Sequence, residues 1–326
     1  MGKSLKAILF LVICVSCFQV TGQSKKKFKR NKGTSKKEIR KRQQEAFDKD
    51  DTNAFNPKQP MGARENDSRD DLLWHNETAN TIYHRAANIS VVNPSRYGLK
   101  PGLELSSVLF LNYWMPNLYL KKRWRNDDWY VASKHGFYSA TPGLNWFNDR
   151  NYSSIVDNAE EIPFILSMKN ELMVSRLIMS DTRCGRDKPY IILTGGIGLD
   201  FGVPFGDSDL KEMKGHLLAN RSPAVIGSGY TAYLKARADW QMTPIVMLGG
   251  GFKYFYGDFS GNSALEHNVE LQALVMPRLS FSLGYVISVA NYTDTNGLAI
   301  LPFLDMTIYL GRRQSRQKGL FGGRMF

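Results

Sequence analysis

From about Gly102 the chain alternates apolar and polar residues with a period of two, the spacing at which successive side chains of a β-strand point to opposite faces. Residues 230–240 show it most clearly. Tyr230, Ala232, Leu234, Ala236, Ala238 and Trp240 share one face, while Thr231, Tyr233, Lys235, Arg237 and Asp239 share the other. In residues 268–275, Val269, Leu271, Ala273 and Val275 stand opposite Glu270 and Gln272; in residues 303–310, Leu304, Met306, Ile308 and Leu310 stand opposite Asp305 and Thr307. Residues 281–289 repeat the pattern with Phe281, Leu283, Tyr285, Ile287 and Val289. Glycine runs at 195–198 and 249–251 fall inside strands, where they lower strand propensity and permit sharp curvature.

Strands placed on this pattern number about ten, with eight to twelve compatible with it: 102–112, 115–124, 127–138, 162–178, 189–204, 228–240, 244–257, 267–276, 279–291 and 299–311. Their connections form two alternating sets. One is mostly very short (124–127, 241–243 and 277–278, with 179–188 the longer exception), and the other contains the two longest, 139–161 and 205–227. An antiparallel sheet closed into a membrane barrel has this asymmetry, with short turns at one rim and long loops at the other, and an even strand number returns both termini to one rim. The predicted fold class is all-β, an antiparallel transmembrane β-barrel. Alternation alone does not orient the faces. A soluble sandwich or lipocalin-like barrel would turn the apolar face inward and leave Lys235, Arg237, Glu270 and Asp305 outside. Aromatic residues at strand ends and the loop asymmetry favour lipid against the apolar face.

The flanks are different in kind. Lys3 and Lys6 precede a short apolar run, followed by small and polar residues up to Gly22, which predicts a cleavable export signal over 1–22; a rival reading makes Cys17 a lipidated terminus. Removal of 1–22 leaves Cys184 as the remaining cysteine, so no intramolecular disulfide is expected. Residues 23–78 carry few large apolar side chains and are expected to form a disordered arm. Within it, Ser35 and Glu38 have capping-box spacing before a short helix over 39–47. Residues 79–101 are a pre-barrel segment or plug, and Leu72, Leu73, Ile82 and Tyr83 suggest a helix over 71–87 that docks near the barrel or plugs it. The barrel is expected over 102–311 and a basic tail over 312–326.

The formal net charge of +13 first suggests nucleic acid. Its distribution excludes that reading, because the basic excess sits in the termini and residues 43–311 are mildly acidic. The arm holds Lys25, Lys26, Lys27, Lys29, Arg30, Lys36, Lys37, Arg40, Lys41 and Arg42; the tail holds Arg312, Arg313, Arg316, Lys318 and Arg324. Such clusters gain on the order of 1 kcal/mol per cation near an anionic membrane surface.

Residues 102–311 resemble a small outer-membrane β-barrel of Gram-negative bacteria, about two thirds of the chain. The most specific piece is the final strand, Pro302 to Leu310, similar to the alternating terminal strand that barrel-assembly machinery reads; the departure is that the chain continues to Phe326. The resemblance implies an integral outer-membrane protein in contact with outer-membrane lipid, with both termini periplasmic. It also implies a polar lumen collecting Lys121 or Lys122, Arg123, Lys169, Glu171, Lys235, Arg237, Asp239, Glu270 and Asp305. Opposite charges there should pair, because an unpaired buried charge is costly.

Enzymatic alternatives have half-signatures. Asp207-Ser-Asp209 supplies one pair of an omptin-type protease, but no Asp-x-His occurs; Ser133-Lys-His135 reverses the His-x-Ser of lipid A deacylases. His216 and His267 read as isolated loop histidines, and no metal or cofactor site is expected. The expected function is non-enzymatic: an accessory or structural subunit of an assembly or secretion complex, docking envelope proteins and peptidoglycan through the basic arms. Trp146, Phe147 and Tyr152 form either an outward contact or a self-packed loop cap. A narrow small-solute channel is the alternative, and an outer-membrane hydrolase the next.

Overall fold

In a computed structural model of the chain, the described residues are 73–126, 128–152, 162–179, 190–207, 210, 221–243, 245–259, 261–276, 278–290 and 297–311. The expected signal 1–22, residues 23–72 of the arm with its ten named cations, the helix over 39–47, Cys17, Cys184, Asp209, His216 and the tail 312–326 lie outside them; residues 73–78, expected as the end of the disordered arm, are instead ordered inside the barrel, because wall side chains bond their backbone.

Twelve strands form one closed antiparallel barrel. They are β1 (Ala87–Ser90), β2 (Ser95–Lys100), β3 (Leu103–Ser107), β4 (Asn117–Asn126), β5 (Trp129–Tyr138), β6 (Phe164–Met179), β7 (Tyr190–Phe205), β8 (Gly229–Thr243), β9 (Val246–Gly257), β10 (Ser263–Met276), β11 (Leu279–Ala290) and β12 (Leu298–Leu310). Each strand pairs with its chain neighbours, and β1 closes on β12 through the register Ala87↔Leu310 to Ser90↔Thr307. An even count therefore starts β1 and ends β12 at the same rim, the one with the short turns.

The expected ten strands become twelve because β1 and β2, of four and six residues, lie within 79–101. Runs that short do not show alternation on their own. Pairing with β12 on one side and β3 on the other makes them strands. The helix expected over 71–87 is not formed by residues 73–87, which run as turns and extended chain into β1. The strand expected over 102–112 stops at Ser107, and Leu109–Tyr113 is a 3-10 turn. Asn117 explains this: its Oδ1 accepts from Val108 N at 2.8 Å and its Nδ2 donates to Met115 O at 2.9 Å, so local side-chain bonds replace the ladder. A short helix, α1 (Thr141–Asn148), fills the β5–β6 loop, and one turn, α2 (Pro223–Ile226), precedes β8.

Closure orients the faces. Along β8 every charged side chain is buried and every large aliphatic one is outside: Lys235 is 6% exposed, Leu234 59%; on β12 Asp305 is 1% exposed, Leu304 65%. A soluble barrel would reverse these values. Trp129 and Trp240 mark the outer wall near the short-turn rim, and Tyr230, Tyr254, Tyr256, Phe137, Phe164 and Phe205 mark it near the long-loop rim. An apolar belt between two aromatic girdles around a polar interior is the surface of a barrel that crosses a membrane with its strands. The 16-residue strands β6 and β7 exceed the roughly 9–11 residues that a tilted strand needs to span it. The molecule is an integral β-barrel of the outer-membrane kind.

Inside, two apolar clusters bracket a charged middle. Trp74, Ala79, Tyr130, Ala132, Met173, Tyr190 and Ile192 pack together in the half nearer the short turns, and Tyr138, Ala140, Leu144, Ile165, Ala224 and Val225 pack beneath α1 and α2. Two glycines serve clearance. A Cβ on Gly249 would sit 2.4 Å from both Arg237 Nη2 and Asp239 Oδ1, so the bare backbone makes room for that ion pair. A Cβ on Gly98 would sit 1.8 Å from the Tyr83 carbonyl oxygen, where residues 83–86 lie against β2. Gly98→Ala should therefore destabilise the barrel by about 1–3 kcal/mol, the usual cost of overpacking, and loosen residues 73–86; urea-unfolding midpoints and protease accessibility of that segment would register it.

Candidate functional site

Residues 73–83 run through the lumen as turns and extended chain, and the wall is built to hold them. Leu73 N donates to the Tyr190 hydroxyl at 3.1 Å, and Ala79 N to Ser175 Oγ at 2.9 Å. Trp74, 1% exposed, packs its ring 4.5 Å from that of Tyr130. Thr78, Ala79 and Asn80 are fully buried. An extended peptide without a sheet or helix partner must satisfy its backbone polar groups elsewhere. Here cationic side chains of the barrel wall supply the donors.

The first set centres on Glu104 of β3. Arg96 of β2 makes a bidentate pair with it, Nε to Oε1 at 2.8 Å and Nη2 to Oε2 at 2.6 Å, and Lys121 of β4 lies 3.4 Å from Oε1. The same two cations hold the plug: Arg96 Nη1 donates to Trp74 O at 3.0 Å, and Lys121 Nζ donates to the carbonyls of Asn76, Thr78 and Asn80 at 2.7, 3.2 and 3.3 Å. Glu104 in turn accepts from Ile82 N at 2.8 Å. Arg123 Nη1 donates to Asn80 Oδ1. Alternate residues of neighbouring strands point to one face, so these strands place their charges side by side.

The second set centres on Glu77 of the plug. Lys253 of β9 pairs with its carboxylate at 2.5 Å, Arg237 Nη1 lies at 4.0 Å, and Lys235 Nζ donates to its carbonyl at 2.9 Å. Lys235 also pairs with Glu171, and Arg237 with Asp239 at 2.8 Å. His75 meets Glu270 at 3.1 Å, and Arg237 Nη2 is 3.9 Å from the same carboxylate. Above Glu77, toward the long-loop rim, a chamber of about 500 Å³ opens, bordered by Glu77, Lys134, Lys169, Asp200, Arg221, Lys253 and Glu266 among others.

The lumen residues expected from the sequence face inward, Arg123 among them through its bond to Asn80. Glu171, Lys235, Arg237, Asp239 and Glu270 join the network around Glu77, and Lys169 sets its Nζ 5.0 Å from the Tyr233 ring centroid. Asp305 has a separate task. It accepts from Ser90 Oγ at 2.5 Å, Val91 N at 3.0 Å and Val92 N at 2.8 Å, fastening the β1–β2 turn to β12. Of the lysine pair, Lys121 faces the lumen and Lys122 faces out, 3.8 Å over the Trp124 ring.

Sequence reasoning missed Glu77, His75, Arg96, Glu104 and Lys253. Glu104 between Leu103 and Leu105, and Lys253 between Phe252 and Tyr254, carried the signal of a lone charge in an alternating strand. Glu77 and His75 carried none, because extended lumen chain has no periodicity.

The enzymatic half-signatures acquire partners that explain them. Ser133 and His135 face outward; Ser133 Oγ accepts from Trp124 Nε1 at 2.8 Å, and His135 Nδ1 pairs with Asn170 Oδ1 at 2.7 Å. Asp207 is exposed at the end of β7. His267 is a strand residue of β10, not a loop one, with its ring centroid 4.6 Å from that of Phe252 and 5.7 Å from that of Tyr285. Trp146, Phe147 and Tyr152 pack on one another, at 5.0 Å between Trp146 and Phe147 and 6.1 Å between Trp146 and Tyr152, and Trp146 also meets Trp114 at 6.2 Å. These rings join residues of the β3–β4 and β5–β6 connections in one aromatic cluster.

Comparison with solved structures finds a porin among the matches. This porin, NanC in a rhombohedral crystal form, matches 69% of this chain and 98% of its own at 6% identity and a TM-score of 0.26. A chain from a structure titled "Unveiling the Mechanism Behind the in-meso Crystallization of Membrane Proteins" matches at 8% identity over 70% of this chain and 83% of its own, with a TM-score of 0.28. No family model and no curated protein matches. The membrane assignment rests on the oriented wall.

Proposed function

We propose that this protein is a non-enzymatic, self-plugged outer-membrane barrel that serves as an accessory or structural subunit of an envelope complex, docking through its basic arms. The supporting observation is the lumen, whose short-turn half the chain's own residues 73–83 occupy, held in place by the wall's cations. A barrel closed in this way presents its rims and arms, not an open pore, to the envelope. In this reading the short-turn rim, where β1 begins and β12 ends, faces the periplasm. The arms at that rim meet anionic lipid heads, peptidoglycan stem carboxylates and acidic faces of envelope proteins. That attraction would be screened by salt, with a Debye length of about 8 Å at physiological ionic strength.

Purification in mild detergent tests this. The full chain should bring down envelope proteins in stoichiometric amount, and a chain lacking 23–62 and 312–326 should lose them while keeping heat-modifiable migration on a denaturing gel. Partners retained after both deletions would refute docking through the arms.

A further inference from the structure

The plug is held as a ligand is held. Lys121, Arg96 and Lys235 bind its backbone carbonyls, which any extended peptide would offer, and among the described residues Glu77 is the plug carboxylate that several wall cations surround. Around that carboxylate, Lys253 Nζ stands at 2.5 Å and Arg237 Nη1 at 4.0 Å, with Lys235 at the adjacent carbonyl. The cations come from two adjacent strands. Lys235↔Lys253 are register partners, and Arg237 lies two residues along β8 on the same face. Like charges placed directly opposite repel. Their juxtaposition is stabilised by carboxylates: Glu171 of β6 for Lys235, Asp239 of the same strand for Arg237, and Glu77 of the plug for Lys253, with Glu266 more distant from Lys253 at 3.9 Å.

Glu77 also borders the chamber of about 500 Å³ that lies toward the long-loop rim. Its carboxylate is therefore the boundary between the occupied and unoccupied halves of the lumen. We propose that Lys235, Arg237 and Lys253 form a carboxylate-binding site at the floor of this chamber, that Glu77 occupies it as a tethered occupant, and that a small carboxylate-bearing solute entering from the long-loop rim competes for it and releases residues 73–82. The site adds a binding and gating role to the docking role, and the outcome of co-purification has no bearing on it.

Displacement is feasible because the floor contacts are exchangeable. A free carboxylate at Lys253 and Arg237 replaces one charge-assisted contact with another of the same kind. The Arg96 and Lys121 carbonyl contacts and the packing of Trp74 against Tyr130 remain when Glu77 leaves and oppose release, so the released state is a minor population that rises with solute concentration. Release leaves Lys253 and Arg237 facing the lumen without the acid that the plug supplied, which favours anions over cations in the opened path.

The test is chemical rescue in the full-length barrel. Thermal unfolding is followed in detergent for the native chain and for Glu77→Ala, with sodium formate as probe against sodium chloride at equal ionic strength. Glu77→Ala should melt several degrees lower in chloride and recover a saturable part of that loss in formate, as a ligand that binds only the folded state must produce. Adding Lys253→Ala should abolish the recovery. Equal shifts for the native chain and Glu77→Ala, or none for either, would overturn the site.

The native chain in a planar bilayer supplies the second measurement, which holds even if Glu77→Ala does not fold. Formate on the long-loop side should raise the open fraction in a dose-dependent way, with a reversal potential favouring anions. A silent bilayer, or openings that favour cations, would overturn the release.

Discussion

Glu104→Ala should destabilise the barrel by about 3–5 kcal/mol, the range expected when one partner of a buried ion pair is removed and the other is left charged. The expectation is specific to this site. Glu104 is fully buried, and it neutralises two cations at once, Arg96 at 2.6 Å and Lys121 at 3.4 Å. Both cations are themselves buried, at 4% and 0% exposure, so neither can regain water when the carboxylate is deleted. The Ile82 amide that donates to Glu104 would also lose its acceptor. The midpoint of urea unfolding in detergent micelles or vesicles, read by heat-modifiable migration, measures the loss. A double-mutant cycle with Arg96→Ala isolates the pair, and residues in direct contact should show a coupling of about 0.5–3 kcal/mol. A loss below about 1 kcal/mol, the scale of an exposed pair, would mean that water reaches this network.

Trp74→Ala carries the second large effect, about 3–5 kcal/mol, because truncating a fully packed Trp removes both its burial and the surrounding contacts. The ring lies against Tyr130 among Ala132, Met173, Tyr190 and Ile192, in the half of the lumen nearer the short turns. The alanine variant keeps the residue 74 carbonyl and hence its bond from Arg96, so the loss reports packing and not the polar anchor. Trp240→Ala is the control. That ring is 43% exposed on the outer wall, and its removal should cost less and leave residues 73–86 protected. Added protease distinguishes the two: the plug of the Trp74 variant should become cleavable while the barrel band persists. Equal losses for the two variants would deny the plug its apolar anchor.

Strands β8, β11 and β12 were legible in the sequence with their faces, because each is twelve residues or longer and carries a stretch of clear alternation, 230–240 in β8, 281–289 in β11 and 303–310 in β12. β1 and β2 were not, since their strand character comes from neighbours distant in the chain, as the register Ala87↔Leu310 shows. The loop after β3 was hidden for a related reason: Asn117 reaches back nine residues to bond Val108, and no local propensity announces that bond. Lumen charges on strands were partly legible, whereas Glu77, at the centre of the second network, was not.

The sequence by itself determined which residues share a face, that the barrel is antiparallel with its short turns at one rim, and that charge gathers in terminal segments. It did not decide which face meets lipid, because an alternation of period two is unchanged when inside and outside are exchanged. Closure of the twelve strands decided it, by burying Lys235 and Asp305 and exposing Leu234 and Leu304. Closure also decided what fills the lumen. The cations that line it need acceptors at distances set by the barrel's width, and only the folded wall brings Arg96, Lys121, Lys235 and Lys253 around one extended segment.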